Sequence, residues 1–92
     1  MINALVFVRT EIDHVNAVAE ALAAMQGVSE VYSVTGDLDL VAIVRVSDLD
    51  GVSRVVTDGI AHVPGILATE THVAFRTYSR HDLEAAFSIG LD

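Results

Sequence analysis

The chain lacks cysteine and tryptophan and contains a single proline among its 92 residues. Without cysteine it can form neither a disulfide nor a thiolate metal site, and it has no cysteine nucleophile. Basic residues are also few: there are five arginines and 13 acidic residues, which gives a formal net charge of −8. Because this leaves no basic stripe to neutralise phosphates, neither nucleic acid nor an anionic membrane is an expected direct partner.

The sequence also lacks an apolar run long enough to span a bilayer, and its first residues lack the charged segment that opens a signal peptide. We therefore expect a soluble, cytoplasmic protein. Yet 52% of the residues are hydrophobic and the mean hydropathy is +0.51, which is high for a domain of this size. Some of this apolar surface is expected to face another subunit.

Hydrophobic periodicity predicts two successive β-α-β units. Strands are expected over residues 2–9, 28–35, 38–46 and 66–78, with one helix capped by Thr10 and a second capped by Ser47-Asp48. One hairpin joins the units, which is the ferredoxin-like α+β plan: βαββαβ, a four-stranded antiparallel sheet with both helices on one face. Residues 1–78 would form this domain. Residues 79–92 would form a tail with a short helix built on Leu83 and Phe87.

The first and third strands are apolar on both faces, which predicts that they are central in the sheet. The helices cover only one face of the sheet. Leu5, Phe7, Val41 and Ile43 would therefore remain uncovered on the other face. We expect a second copy of the chain to bury them, giving a face-to-face dimer.

The connection between the second and third strands carries the clearest candidate for a site. Gly36-Asp37 is typical of a tight turn, but the turn does not explain Asp39, a second carboxylate at the start of an apolar strand. A charge at such a position is costly unless it is paired. The partner could be the ammonium group of a bound amino acid. It could instead be Arg9 or Arg45, in which case Asp39 would serve stability.

Three more residues are candidates for the same site. Thr69 and Thr71 are spaced by one residue on the fourth strand, so both hydroxyls would point to one face and could donate to a single carboxylate. The alternative is that threonine is simply common in strands. Tyr32 could line a pocket, or it could pack as an aromatic residue of an edge strand.

Metal binding and cofactor binding find little support. The four histidines, His14, His62, His72 and His81, are scattered without the spacing of metal ligands. Asp37 and Asp39 together fall short of the oxygen ligands that calcium requires. No metal or cofactor is therefore expected, and no motif places a general base beside a nucleophile.

Three features together resemble a known family. They are the segment Val34-Thr35-Gly36-Asp37-Leu38-Asp39, the run Val63-Pro64-Gly65-Ile66-Leu67-Ala68-Thr69-Glu70-Thr71, and the doubled β-α-β plan. They are similar to the effector-binding (RAM) domain of the Lrp/AsnC transcription regulators, over about residues 2–78. Longer members carry an N-terminal helix-turn-helix, so this chain resembles the stand-alone members that lack one.

The resemblance implies a non-enzymatic regulatory domain that binds a small amino acid as effector. It also implies dimers that assemble into an octamer or a similar ring, with the effector between neighbouring dimers, and a full-length relative as a further partner. The positions that match the family's site are Gly36, Asp37, Asp39, Thr69 and Thr71. Backbone N–H groups at the turn and the threonine hydroxyls would hold the carboxylate of the ligand, and Asp39 its ammonium.

Two other functions stay open on the sequence. The same dimeric sheet plan also hosts small enzymes such as monooxygenases and isomerases, for which His14 or His72 would be the first catalytic candidates. Alternatively, the chain could be a structural partner that binds no metabolite and docks through its tail.

Overall fold

The structure, a computed structural model, describes residues 1–80. The elements in chain order are β1 (Ile2–Thr10), α1 (Val15–Ala23), β2 (Val28–Ser33), β3 (Leu40–Val46), α2 (Leu49–Ser53) and β4 (Ile66–Val73). A 3₁₀ turn, Ile12–His14, precedes α1, and α2 continues as a π-helical segment, Arg54–Gly59, and a 3₁₀ turn, Ile60–His62. The predicted tail helix around Leu83 and Phe87 lies outside the described residues.

The four strands form one antiparallel sheet in the order β2-β3-β1-β4. β1 and β3 are therefore central, as their apolar faces predict, and the ferredoxin-like βαββαβ plan is confirmed. Within residues 1–80, no helix is both long and apolar enough to cross a membrane.

Alternate residues of the two central strands form the floor of the core under the helices. The buried side chains of β1 lie opposite those of β3 in the pairs Ala4–Val44, Val6–Ala42 and Val8–Leu40. The helical side of the core contributes Val18, Leu22, Val52 and Ile60. The intervening residues Leu5, Phe7, Val41 and Ile43 point to the other face and keep part of their surface exposed. We call this second side the open face.

β4 is shorter than predicted, because it ends at Val73 and not at Tyr78. Its last bond to β1 runs from the Ala74 N–H to the Asn3 carbonyl at 2.8 Å, and β1 itself begins at Ile2. Beyond this point the backbone no longer pairs with β1, and Phe75 and Tyr78 are exposed. The second and third strands are also shorter than predicted, because residues 34–39 leave the ladder to form the turn.

The two predicted helix caps have different outcomes. Asp48 caps α2 as expected, since its Oδ1 accepts the Gly51 N–H at 2.7 Å. Thr10 does not cap the first helix: it is the last residue of β1, and the 3₁₀ turn begins at Ile12 without a side-chain cap. The prediction was wrong because β1 continues to pair with β4 as far as Thr10, which lies opposite Ile66.

Gly65 and Gly36 provide a matched test of the packing between the start of β4 and the first helical turn. Both have positive φ, +96° and +103°, but a Cβ at Gly65 would lie 2.7 Å from the Cβ of His14, whereas one at Gly36 would meet nothing within 4 Å. Gly36→Ala should cost only the strain of left-handed backbone, roughly 1–2 kcal/mol. Gly65→Ala should cost roughly 1–3 kcal/mol more, because the new Cβ would overlap the half-exposed His14 side chain and force a local shift. Urea unfolding measures both, and equal losses would contradict the contact.

Candidate functional site

The turn between β2 and β3 is tied to the central strand β1. The Val34 N–H donates to the Asp39 carbonyl at 3.1 Å, which closes the turn, and the Asp39 N–H donates to the Val8 carbonyl at 3.0 Å. Gly36 has a φ of +103°, so the glycine at this position is required by the backbone, as the sequence predicts. The turn therefore holds a fixed position at the end of β1.

Asp39 is half-buried, and its carboxylate is bound by backbone and not by arginine. Its Oδ2 accepts the Thr10 N–H at 2.8 Å. Arg45 instead pairs with Glu30 at 3.5 Å and donates to the Ser29 hydroxyl. Across residues 1–80, no ion pair joins Asp39 to any cationic side chain. The carboxylate is thus held in place by a neutral donor while its charge remains unpaired.

Thr10 is a site residue that the sequence reasoning assigned to another role. It is only 5% exposed, and its hydroxyl has no hydrogen-bond partner among the described residues. An unpaired buried hydroxyl is uncommon in folded proteins. The strand's even-numbered residues all face the core, so continuing that alternation from Val8 to Thr10 would have identified its burial. Thr10 therefore contributes its backbone N–H to Asp39 and carries a buried, unpaired hydroxyl close to that bond.

The two threonines of β4 share one side of their strand, as predicted. In the register Thr69 lies opposite Val8 and Thr71 opposite Val6, and both are exposed because the helices do not cover this edge strand. A hollow of about 220 Å³ is lined by Phe7, Arg9, Leu38, Ala68, Thr69 and Glu70. The structure therefore brings Thr69 together with Leu38 of the turn. Thr71 and Asp39 are not among the residues that line this hollow.

The other two predicted residues are arranged differently. Asp37 is exposed on the outside of the turn. Tyr32 lies on β2 opposite Val41, half-exposed on the side of the open face, and does not line the hollow. Val41 of β3 pairs with Tyr32 of β2 along one edge and with Phe7 of β1 along the other. Tyr32 is therefore about two strand spacings, roughly 10 Å, from Phe7, which lines the hollow. Tyr32 is thus a residue of the open face.

Glu30 changes the acidity of Tyr32. A hydrogen bond from the phenol to the Glu30 carboxylate, together with the negative charge of that group, raises the pKa of Tyr32 above its usual value. Glu30→Gln should therefore lower the pKa of Tyr32. Because the folded-state pKa is raised, the associated stabilisation is present below about pH 10 and is lost as the pH rises through the folded value. Ultraviolet titration of tyrosinate checks this in a Tyr78→Phe background, since the chain has two tyrosines. Identical curves with and without Glu30 would contradict it.

A metal site is not seen in the described part of the chain. No group of three or more His, Asp or Glu side chains within residues 1–80 could hold a metal ion. His72 instead contacts Glu70 at 3.1 Å and lies edge-on to the ring of Phe7, with 5.1 Å between the ring centroids. His72 lies on the open face, whereas Glu70 also lines the hollow together with Arg9. The polar groups at this end of the sheet are therefore Asp39, Thr10, Thr69, Arg9, Glu70 and the turn backbone.

Comparison with known proteins assigns the family. The sequence profile of the Lrp/AsnC ligand binding domain matches residues 3–83. The chain belongs to the Lrp/AsnC ligand-binding-domain family. An uncharacterised HTH-type transcriptional regulator of Pyrococcus abyssi is 40% identical over 60 residues, which is 65% of this chain and 40% of that protein. The chain thus spans less than half the length of this curated relative.

Solved structures agree with this assignment. A crystal structure of a Thermus thermophilus protein is 49% identical, with a TM-score of 0.83, and the match covers 87% of this chain and 100% of that one. A Neisseria meningitidis transcriptional regulator, crystallised as a complex with L-methionine, has a TM-score of 0.77 at 16% identity and matches 86% of this chain and 53% of its own. That second likeness shows the shared fold. Relatives of this Lrp/AsnC domain are named as transcriptional regulators and not as enzymes, in agreement with the expectation from the sequence.

Proposed function

We propose that this effector-binding regulatory domain takes a free amino acid as its ligand, at the turn between β2 and β3. The observation that carries the proposal is the state of Asp39. Its carboxylate is half-buried and fixed by the Thr10 N–H, yet no cationic side chain of residues 1–80 pairs with it. A hydrogen bond from a positively charged donor stabilises a half-buried carboxylate more than a bond from a neutral donor does. The ammonium group of an amino acid is such a donor.

The same end of the sheet offers groups for the carboxylate of the ligand. Thr69 borders the hollow that also includes Leu38 of the turn, and its side chain, opposite Val8, lies on the helix side of β4. The backbone at Gly36 is open on its outer side, since a Cβ there would meet nothing within 4 Å. A ligand could therefore approach the N–H groups of the turn closely. Thr71 continues the row of hydroxyls along β4, and Asp37 adds a second negative charge near the ammonium.

Family membership supports an amino acid ligand over other metabolites. The structurally similar regulator from Neisseria meningitidis was crystallised as a complex with L-methionine, which supports an amino acid as the ligand class. The chemistry of Asp39 and Thr69 in this chain suits the two charged groups that all amino acids share. Which side chain the site accepts would depend on the apolar wall formed by Phe7 and Leu38.

We further propose that two copies of the chain pair through their open faces and that these dimers form a larger ring in the cytoplasm. Leu5, Phe7, Val41 and Ile43 occupy the centre of that face and stay partly exposed in a single chain. Such a row is self-complementary under two-fold symmetry, which is the usual arrangement of a homodimer. A full-length Lrp/AsnC relative carries the same domain plan and could pair in the same way.

Ligand and assembly would then be linked. The hollow at the turn is small, about 220 Å³, and open on one side. Neighbouring subunits would complete it, so the ligand would bind the assembled state more tightly than the separate parts. By linkage, the free energy by which assembly strengthens ligand binding equals the free energy by which the bound ligand stabilises the assembly.

The proposal is tested by titrating the protein with each of the twenty amino acids in a calorimeter, with light scattering recorded with and without each ligand. We expect saturable heat for one or a few amino acids and a change in assembly size with the same ligands. Absence of a response to all twenty amino acids would contradict the proposed ligand class.

A further inference from the structure

A second and larger hollow lies at the opposite end of the sheet from the turn. This cleft has a volume of about 730 Å³, within the range of roughly 300–1,000 Å³ that is common for small-molecule sites. β3 runs from the turn to the cleft, so the two sites are about 20 Å apart. The residues that matter for its chemistry are Met25, Gln26, Val46, Arg54, Val55 and Asp58.

Two glycines allow the walls of the cleft to come together. A Cβ at Gly27 would lie 2.7 Å from Cγ2 of Val55, and one at Gly51 would lie 2.9 Å from the Cβ of Val46. Gly27 also has a φ of +95°, and its carbonyl accepts the Arg45 N–H at 2.9 Å. The start of β2, the end of β3 and the second helix are therefore packed closely at this place, which gives the cleft fixed walls.

One wall is the π-helical segment Arg54–Gly59. The Ile60 N–H donates both to the Val55 carbonyl, five residues earlier as in a π-helix, and to the Val56 carbonyl, four residues earlier as in an α-helix. Such segments are rare and frequently lie at functional sites. Four of its six residues line the cleft: Arg54, Val55, Asp58 and Gly59. These four residues form the side of the segment that faces the cleft.

The charges on this wall have few partners. Arg54 is mostly exposed, and its ion pair with Asp48 is long, 3.9 Å. Asp58 forms no ion pair among residues 1–80. Arg45, also on the cleft, is already engaged by Ser29 and Glu30. The cleft therefore presents a weakly paired cation and an unpaired anion about one helical turn apart, beside the apolar side chains of Met25 and Val46.

We propose that this cleft is a second, independent binding site, for an amino acid with an apolar side chain. The Arg54 guanidinium would bind the carboxylate, Asp58 the ammonium, and Met25, Val46 and Val55 the side chain of the ligand. A purely anionic ligand fits less well, because Asp48 and Asp58 are close by and the chain carries a net charge of −8. The thioether of Met25 is flexible and polarisable, so it suits an aliphatic or thioether ligand.

The two methionines provide a direct probe, since the chain contains only Met1 and Met25 and both line the cleft. Protein labelled with ¹³C at the methionine methyl groups is titrated with unlabelled L-leucine, L-isoleucine and L-methionine. We expect a saturable shift of the Met25 methyl signal with at least one of these ligands. Arg54→Gln and Asp58→Asn should each weaken this binding about tenfold. Asp50→Asn, an equal change of charge on the same helix but outside the cleft, should leave it unchanged.

Three outcomes would overturn the proposal. One is the absence of a saturable Met25 shift at millimolar ligand. Another is a Met25 response in the Arg54→Gln and Asp58→Asn variants that equals the response of the wild type. The third is a Met25 signal that moves on dilution of the protein alone, which would mean that a second copy covers the cleft. Asp39→Asn separates the two sites, because it should weaken binding at the turn and leave the Met25 response intact.

Discussion

Asp39→Asn is expected to reduce the affinity for the amino acid ligand by roughly 10- to 100-fold while the fold keeps its stability. The amide oxygen of asparagine can still accept the Thr10 N–H that the carboxylate accepts at 2.8 Å. What disappears is the negative charge that would pair with the ammonium. A hydrogen bond to a charged group contributes roughly 1.5–3 kcal/mol, which corresponds to this loss of affinity. Calorimetric titration measures the effect.

Asp39→Ala separates the structural role of this residue from its binding role. It removes the acceptor as well as the charge and leaves the Thr10 N–H unpaired, which should cost roughly 1–3 kcal/mol of stability. Asp50→Asn is the matched control for charge, since Asp50 lies exposed on α2 at the other end of the sheet. Unchanged ligand affinity in Asp39→Asn would mean that the carboxylate only anchors the turn, and the proposed site would be wrong.

Much of the fold follows from local patterns. β1 and β3 are apolar on both faces, which is typical of strands at the centre of a sheet. Asp48 caps the N–H of Gly51, three residues later, which is the usual spacing for an N-cap. By contrast, the end of β4 depends on where β1 begins, and the end of the first strand at Thr10 depends on its pairing with Ile66. Such boundaries are set by residues distant in sequence, which periodicity does not report.

The candidate site was predictable only in part for the same reason. Gly36 and Asp39 stand out because one needs a special backbone conformation and the other is a charge beside a strand. The partner of Asp39 is 29 positions away, at the backbone of Thr10, and no side-chain pattern indicates a backbone donor. The π-helical segment was also not foreseen, because Val52, Val55, Val56 and Ile60 have the spacing of an ordinary helix. The cleft beside it could therefore be found only in three dimensions.

Leu5→Glu is expected to convert the proposed homodimer into a monomer. Leu5 lies opposite Ile43 at the middle of the open face, and its side chain points away from the core formed by Ala4 and Val6. In a symmetric pair each copy would contribute one such glutamate, opposite His72 of β4, so two carboxylates would enter the same apolar interface. Burying unpaired charge costs at least about 3 kcal/mol, so the dimer should weaken by more than a hundredfold.

Ile12→Glu is the control for this change, because Ile12 is 91% exposed on the 3₁₀ turn and lies away from the open face. Analytical ultracentrifugation gives the mass of each variant, and far-ultraviolet circular dichroism shows whether the fold persists. We expect the wild type and Ile12→Glu to sediment as dimers or larger assemblies and Leu5→Glu to sediment as a folded monomer. A Leu5→Glu protein with unchanged mass would show that another surface joins the subunits, since the open face cannot accommodate two facing carboxylates without losing its contact.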